Sequence, residues 1–186
     1  MHNPFSGWWV TMVGSRKTPL ETLSLMTAIA YKFVKWGYGF RSGGADGADT
    51  ASEQGARKAI AEGAPAHLVN IFYAKDATPA AMEIAGTYHP MWNAKRKDGS
   101  LVVSDYARKL HGRNAFQVLG RNLNNPSIGL ICWTPDACEC HKERTIRTGG
   151  TGTAISIADA YEVPIANLKN PATFQKWRKW ANDIEH

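Results

Sequence analysis

One junction recurs along this chain: a short apolar segment, a glycine-rich turn, and then a segment with helical spacing. The three turns are Val13-Gly14-Ser15-Arg16, Ser42-Gly43-Gly44-Ala45-Asp46-Gly47-Ala48-Asp49 and Thr148-Gly149-Gly150-Thr151-Gly152-Thr153. Glycine permits a turn with positive φ and lets another group approach the main chain closely. A helix that begins at such a turn directs unpaired N–H groups and a positive dipole end at it, which suits phosphate.

The order of the segments predicts alternating strands and helices. We predict strands at 8–13, 39–42, 68–73, 128–133 and 164–168, and helices at 20–36, 50–62 and 154–161. Strands separated by helices imply parallel crossovers and a sheet covered on both faces. The expected fold is therefore α/β, with a Rossmann-like, doubly wound, mostly parallel sheet. All three glycine turns would lie at the carboxyl ends of strands, where ligands bind in such sheets.

The length of 186 residues predicts a single domain over 1–186. Residues 74–104 are too long for an ordinary connection, so we expect an irregular insertion or a lid there. Residues 171–184 predict a C-terminal amphipathic helix with apolar residues at 174, 177, 180, 181 and 184. We expect its tryptophans, Trp177 and Trp180, to pack on the sheet.

Charge and composition restrict the partners of the chain. It has 22 Lys and Arg residues against 16 Asp and Glu residues, and the net charge of +6 favours an anionic partner. No apolar run approaches the roughly 18 residues of a membrane span, and residues 1–5 lack the layout of a secretory signal. Three cysteines are an odd number, which argues against a disulfide framework. We therefore expect a cytoplasmic protein without a membrane partner.

Together the three turns resemble the SLOG superfamily, which includes DprA/Smf-like DNA-processing proteins and LOG-type nucleotide phosphoribohydrolases. Residues 112–120, with the later Pro126-Ser127 and Ile131-Cys132-Trp133-Thr134-Pro135-Asp136, resemble small stand-alone members encoded by bacteriophages. The similarity spans about residues 8–168. It implies a Rossmann-like fold that binds nucleotides or their derivatives, a homo-oligomer, and the host cytosol as the location. It leaves the reaction open, because the superfamily includes enzymes, ligand sensors and nucleic-acid binders.

The chain departs from the LOG pattern Pro-Gly-Gly-x-Gly-Thr-x-x-Glu, in which the glutamate serves the glycosidic chemistry. Thr148 occupies the proline position and Ser156 the glutamate position. A serine hydroxyl cannot replace a carboxylate as a general base. We expect a phosphate site without the LOG mechanism. If the protein is an enzyme, it is a nucleotide hydrolase or an N-glycosidase.

The predicted ligand-binding residues belong to the three turns and to two arginines of the phage-like segment. They are Gly14, Ser15, Arg16, Gly43, Gly44, Ala45, Asp46, Gly47, Arg113, Arg121, Thr148, Gly149, Gly150, Thr151, Gly152 and Thr153. Arg16 follows a strand end, where a guanidinium can clamp a phosphate. Arg113 and Arg121, each followed by an asparagine, are expected to flank the helix before the fourth strand.

Asp46 and Asp49 are the candidate catalytic residues. In one interpretation Asp49 caps the helix that begins near Thr50, and Asp46 stabilises the turn through its own backbone. In the other, one of them binds a ribose hydroxyl or acts as a general base near a glycosidic carbon.

Cys132, Cys138, Cys140 and His141 invite a zinc interpretation, but the spacing C-x5-C-x-C-H lacks the paired C-x-x-C of most zinc sites. Cys132 also belongs to an apolar strand, where cysteine is normally a small buried hydrophobe. We predict no metal and no cofactor. Residues 134–147 are expected to form a polar flap over the glycine turn at 148–153.

Three classes of function follow. Binding of a nucleotide or a nucleotide-derived molecule, with or without cleavage of an N-glycosidic or phosphate-linked bond, is the leading one. Single-stranded DNA binding of the DprA kind is the alternative, based on the positive charge and on aromatic residues that could stack on bases: Tyr88, Trp92, Trp177 and Trp180. The third is a non-catalytic phage protein that sequesters a signalling nucleotide.

Overall fold

Five parallel strands form one sheet in the computed structural model, which describes residues 7–183. They are β1 Trp9–Gly14, β2 Gly39–Ser42, β3 Val69–Ile71, β4 Gly129–Trp133 and β5 Ile165–Asn167. The order across the sheet is β3-β2-β1-β4-β5. The chain therefore starts at the central strand β1 and adds β2 and β3 on one side of it. It then returns to the other side of β1, where it adds β4 and β5. The α/β, Rossmann-like fold predicted from the sequence is confirmed.

Six α-helices accompany these strands in the described part of the chain. They are α1 Leu20–Lys35, α2 Ala48–Ala61, α3 Pro79–Tyr88, α4 Asp105–Leu119, α5 Thr151–Ala160 and α6 Pro171–Asn182. Alternate residues of β1 face opposite sides of the sheet. Val10 and Met12 pack with α1 and α2, and Val13 packs with α4 and α5. The sheet is thus covered on both faces.

Helix α1 shows how the sequence pattern produces this packing. Leu25, Met26, Ile29 and Phe33 recur at helical spacing and are all buried. The helix ends before Gly37, whose φ of +89° suits glycine and whose N–H donates to the carbonyl oxygen of Val34 at 3.0 Å.

The predicted boundaries shift by a few residues at several elements. The segment 68–73 contributes only Val69–Ile71 to the sheet, because 3₁₀ turns at Ala66–Leu68 and Ala74–Asp76 adjoin it. Helices α2 and α5 begin two and three residues earlier than predicted, at Ala48 and Thr151. Both helices therefore start directly at their glycine turns.

The segment 74–104 is less irregular than the sequence indicates. It contains α3, where the Thr78 hydroxyl caps the helix by accepting a hydrogen bond from the Ala81 N–H at 3.3 Å. The remaining loop is tightened by an isolated bridge between Lys95 and Leu101. Apolar spacing in α3 is weak because small alanines supply its buried face, and this explains why the pattern did not reveal it.

The C-terminal helix α6 packs on α1. The Trp180 ring lies 4.7 Å from that of Phe33, and the Trp177 ring lies 5.8 Å from it. The two tryptophans are therefore half-buried and pack against a helix, whereas the sequence led us to expect them on the sheet. Ile184, which the pattern assigns to this helix, and residues 1–5 lie outside the described residues. No helix within residues 7–183 is long and apolar enough to cross a membrane.

Candidate functional site

A cleft of about 350 Å³ opens where the strand order reverses, beyond the carboxyl end of β1 and beside the glycine turn that follows β4. Crevices at this position are where open α/β sheets bind ligands. The cleft is lined by Val13, Gly14, Ser15, Arg16, Lys17, Ala45, Asp49, Ala107, Leu110, His111, Arg113, Asn114, Gln117, Arg147, Thr148, Gly149, Gly150, Thr151 and Ala154. Four of these side chains are cationic and one is a carboxylate, so the cleft suits an anionic ligand.

Ten of the predicted site residues line this cleft. They are Gly14, Ser15, Arg16, Ala45, Asp49, Arg113, Thr148, Gly149, Gly150 and Thr151. Seven predicted residues do not line it: Gly43, Gly44, Asp46, Gly47, Arg121, Gly152 and Thr153. Each of the three turns thus contributes residues to the lining of this cleft.

The glycines of the turn at 42–49 are required by the packing of the chain itself. A Cβ on Gly44, whose φ is +61°, would lie 2.7 Å from the Tyr73 ring. A Cβ on Gly47 would lie 2.9 Å from backbone atoms of Ser15 and Arg16. A Cβ on Gly43 would lie within 3.0 Å of polar side chains on α2 and α4. These glycines let the elements around the cleft come together, but they offer no surface to its interior.

Asp49 is buried in the first turn of α2 and is 3% exposed. It is not the N-cap, as one interpretation expected, because Gly47 holds that position. Burial raises the pKa of its carboxyl to about 6, although the Arg113 charge and hydrogen bonds from the backbone N–H groups of Ala45, Gly14 and Gly43 oppose the shift. Asp49 can therefore change protonation near neutral pH. Asp46, the other candidate catalytic residue, is exposed outside the cleft.

Helix α4 supplies a polar floor beneath the turn at 42–49. The Arg113 guanidinium donates from Nη1 to the carbonyl oxygen of Gly43 at 2.8 Å, and its Nε is buried without a partner in the described part of the chain. Gln117 is fully buried, and neither its Oε1 nor its Nε2 has a hydrogen-bond partner within residues 7–183. Unpaired buried polar atoms each cost about 1–3 kcal/mol, so a water or a ligand group that hydrogen-bonds to them would be favourable here.

The turn at 148–153 presents open backbone to the cleft. An added Cβ at Gly150 would meet no atom within 4 Å, and the N–H groups of Gly150 and Thr151 have no hydrogen-bond partner among the described residues. Arg147 stands beside them in the cleft lining. The Asp136 carboxylate holds the turn by accepting hydrogen bonds from the hydroxyls of Thr145 and Thr148 at 2.6 and 2.5 Å.

The turn at 13–16 is more occupied by its own hydrogen bonds. The Ser15 N–H donates to the carbonyl oxygen of Trp133 at 3.2 Å, and the Ser15 hydroxyl accepts from the Lys17 N–H at 3.0 Å. The side chains of Arg16 and Lys17 are exposed at the cleft. The side chains of this turn therefore offer positive charge to a ligand.

The flap expected over the turn at 148–153 packs against the start of α5. Its Arg144 donates to the carbonyl oxygen of Tyr88 at 2.9 Å and to the Thr153 hydroxyl at 3.2 Å, and it fills the space beside Gly152. Gly152 and Thr153 consequently serve this packing. Ser156, at the LOG glutamate position, is buried, donates to the carbonyl oxygen of Gly152 at 2.8 Å and does not line the cleft.

Sequence reasoning missed His111, Gln117, Lys17 and Arg147. His111 lines the cleft, and its Nδ1 lies 2.9 Å from the Thr153 hydroxyl. Burial lowers its pKa to about 4, with contributions from the charges of His89, Arg144 and Arg113. The signal was present, because the polar residues His111, Asn114 and Gln117 recur every three positions within one helical segment. Arg113 and Asn114 lie within this helix and do not flank it as predicted.

The cysteines do not form a metal site with their neighbours. Cys132 is fully buried in β4, and the Cys138 thiol donates to the carbonyl oxygen of Cys140 at 3.2 Å. Among residues 7–183, no group of three or more His, Cys, Asp or Glu side chains has an arrangement that could hold a metal ion.

Comparisons with protein-family models, curated proteins and solved structures find no match to this chain. The resemblance to the SLOG superfamily therefore stays a prediction.

Proposed function

We propose that the protein binds a nucleotide or a nucleotide-derived small molecule in the cleft at the strand-order reversal. The observation that carries this proposal is the convergence of three glycine turns on one cleft that has four cations in its lining. A volume of about 350 Å³ is within the usual range for small-molecule sites.

The phosphate of such a ligand fits best at the start of α5. The N–H groups of Gly150 and Thr151 and the positive end of the helix dipole favour an anion there, and Arg147 adds a full charge. Arg16 and Lys17 would hold a second phosphate or the outer part of the same one. Asp49 and Gln117 lie deeper and suit uncharged hydroxyl or base groups.

Cleavage of the bound nucleotide is a second candidate, which the buried carboxyl of Asp49 favours. A pKa of about 6 lets this group accept or donate a proton near neutral pH. If the protein cleaves an N-glycosidic bond, free base should appear with wild-type protein and not with Asp49→Asn, and the activity should show a pH limb near 6.

Single-stranded DNA binding retains support from the exposed cations Arg16, Lys17 and Arg147 at the cleft. The aromatic residues on which that alternative depended are engaged elsewhere. Trp180 packs on Phe33, and the Trp92 ring lies 4.5 Å from the Arg108 guanidinium. We therefore favour a small nucleotide over an oligonucleotide.

Calorimetry tests the proposal with mononucleotides, dinucleotides and an oligonucleotide at fixed ionic strength. We expect a mononucleotide or dinucleotide to bind, and Arg147→Ala to weaken its binding about tenfold, the scale of one charge-assisted hydrogen bond. Arg57→Ala, which removes the same charge from an exposed site on α2, should leave the affinity unchanged. Tighter binding of the oligonucleotide, with a steep dependence on salt, would favour the DNA alternative. Equal affinities of wild type and Arg147→Ala would contradict the proposed site.

A further inference from the structure

A second polar cavity, of about 300 Å³, lies beneath the loop that follows α4, and it shares no lining residue with the cleft. Its walls include Arg41 from β2, Asn70 from β3 and Arg121 from the loop. Asn70 lies opposite Arg41 in the parallel register, so both side chains project from the same face of the sheet. Arg121, which the sequence assigned to the nucleotide site, therefore belongs to this separate cavity.

Arg41 is a charged residue in the buried interior. It lies in a strand whose four residues are all buried, and it is 3% exposed. No carboxylate of residues 7–183 forms an ion pair with it, and burial lowers its pKa to about 10. Buried charges in proteins are normally paired, because an uncompensated one is costly.

The local hydrogen bonds compensate this charge only in part. The Nη1 atom of Arg41 donates to the carbonyl oxygens of Asn125 at 2.7 Å and Val118 at 3.5 Å and to the Ser127 hydroxyl at 3.4 Å, while its Nε is buried without a partner among residues 7–183. Val118 lies at the C-terminal end of α4, and a helix end carries about half an elementary charge. Arg41 is thus hydrogen-bonded through Nη1 but has no full negative counter-charge among residues 7–183.

The surroundings of the cavity add to the positive charge. Arg121 is exposed and brings a second guanidinium, and the cavity lining contains no Asp or Glu. Aromatic rings hold both guanidinium groups in place: the Trp9 ring lies 4.5 Å from Arg41, and the Phe72 ring lies 5.3 Å from Arg121. The amide of Asn70 adds a neutral hydrogen-bond donor.

We propose that this cavity is a second ligand site, which binds the oxyanion group of a small molecule between Arg41 and Arg121. Guanidinium groups match the planar oxygens of carboxylates and the oxygens of phosphates, and two arginines with an amide donor suit either group. Binding there would supply the counter-charge that the buried Arg41 lacks. The site is independent of the nucleotide cleft.

Titration with inorganic phosphate and, separately, with malonate distinguishes a phosphate from a carboxylate ligand. The background protein is Arg147→Ala, which weakens the anion site of the cleft. In this background we expect one of the two anions to bind, and the added change Arg121→Ala to weaken that binding at least tenfold. Arg121 is exposed, so its replacement should preserve the fold. The added change Arg57→Ala serves as the control for charge and should have no effect.

The outcomes separate this site from the proposed function. If neither anion binds to Arg147→Ala, or if Arg121→Ala leaves the binding unchanged, the second site is wrong and the nucleotide cleft is unaffected. If phosphate binding to the wild type is lost in Arg121→Ala but retained in Arg147→Ala, the second site stands and the phosphate position in the cleft is wrong.

Discussion

Gly47 precedes α2 and packs against the turn that follows β1. Two properties restrict this position to glycine. Its φ is +87°, and a Cβ would lie 2.9 Å from the Cα of Arg16 and from the carbonyl oxygen of Ser15. Backbone atoms cannot move aside as a flexible side chain can. Gly63 has a similar φ of +99° but has no atom within 4 Å of its Cβ position. A substitution at Gly63 would therefore cause backbone strain alone, whereas one at Gly47 would cause the same strain and a steric clash.

We expect Gly47→Ala to reduce the free energy of unfolding by about 2–4 kcal/mol, against roughly 1 kcal/mol for Gly63→Ala. Gly47→Ala should also weaken nucleotide binding, because the clash displaces the turn that carries Arg16. Urea denaturation measures the first effect and calorimetry the second. Similar losses of stability in the two variants would show that the Gly47 contact is unimportant.

The ionised carboxylate of the buried Asp49 destabilises the folded protein, so its effect on stability depends on pH. Its pKa is about 6 in the folded protein, against an ordinary value of 3.8 for an aspartate, so the folded state favours the protonated form. The stabilisation from protonation is complete below about pH 4 and is lost as the pH rises to 6. We expect Asp49→Asn to raise the free energy of unfolding at pH 7.5 by about 1–3 kcal/mol and to have little effect at pH 4. Thermal unfolding at the two pH values measures this, and a destabilised variant at pH 7.5 would contradict it.

At the scale of elements, the pairing of α6 with α1 depends on one buried cation and several rings. Lys32 is 9% exposed, and its Nζ donates to the carbonyl oxygens of Trp180 at 2.5 Å and Asp183 at 2.7 Å. It thereby caps the C-terminal end of α6. The same ammonium lies 4.6 Å from the Trp36 ring and 4.8 Å from the Trp180 ring. Trp180 therefore contacts α1 in two ways, through its ring against Phe33 and through its interactions with the Lys32 ammonium.

We expect Trp180→Ala to reduce the free energy of unfolding by about 2–4 kcal/mol, because it removes the aromatic contacts with Phe33 and Trp36. Tyr106→Ala, at an aromatic residue that is 67% exposed, should change it by less than about 0.5 kcal/mol. Denaturant titration of both variants checks this comparison. Nucleotide binding should survive in Trp180→Ala, since α6 does not line the cleft.

At the scale of the whole molecule, His89 and His111 link the segment after α3 to α4 and α5. Their rings lie 4.3 Å apart, and burial lowers the pKa of each, His111 to about 4. Both pKa values are also lowered by the charge of Arg144. Protonation of either histidine would place a further positive charge among these groups. The contacts among these three elements therefore depend on neutral imidazoles.

We expect this histidine pair to make the protein sensitive to acid. The stabilisation from neutral His111 is complete above about pH 6.5 and is lost as the pH falls towards 4, opposite in sign to the contribution of Asp49. The variant His111→Asn keeps a hydrogen-bonding side chain without a titrating group. Its melting temperature should fall less than that of the wild type between pH 7.5 and pH 5. An equal fall in both proteins would exclude His111 as the source.

The fold class and the position of the candidate cleft follow from local patterns in the sequence. Helical spacing in residues 20–36 and the apolar strands at 39–42 and 128–133 are local patterns, and local patterns persist when the chain folds. Parallel connections then require the turns after β1, β2 and β4 to meet at one edge of the sheet. This is why ten predicted residues line one cleft.

Which atoms face that cleft depends on long-range packing, which the sequence pattern does not reveal. Gly43, Gly44 and Gly47 look like ligand-binding residues in the sequence, but neighbouring elements occupy the space where their side chains would be. Arg121 resembles Arg113 in its sequence context, yet the first lies in the loop after α4 and the second within that helix, so their surroundings differ. Gln117 and Arg41 stand out because buried polar atoms of theirs, both amide atoms of Gln117 and the Nε of Arg41, have no hydrogen-bond partner among residues 7–183. Burial depends on contacts between residues distant in sequence, and no local pattern records those contacts.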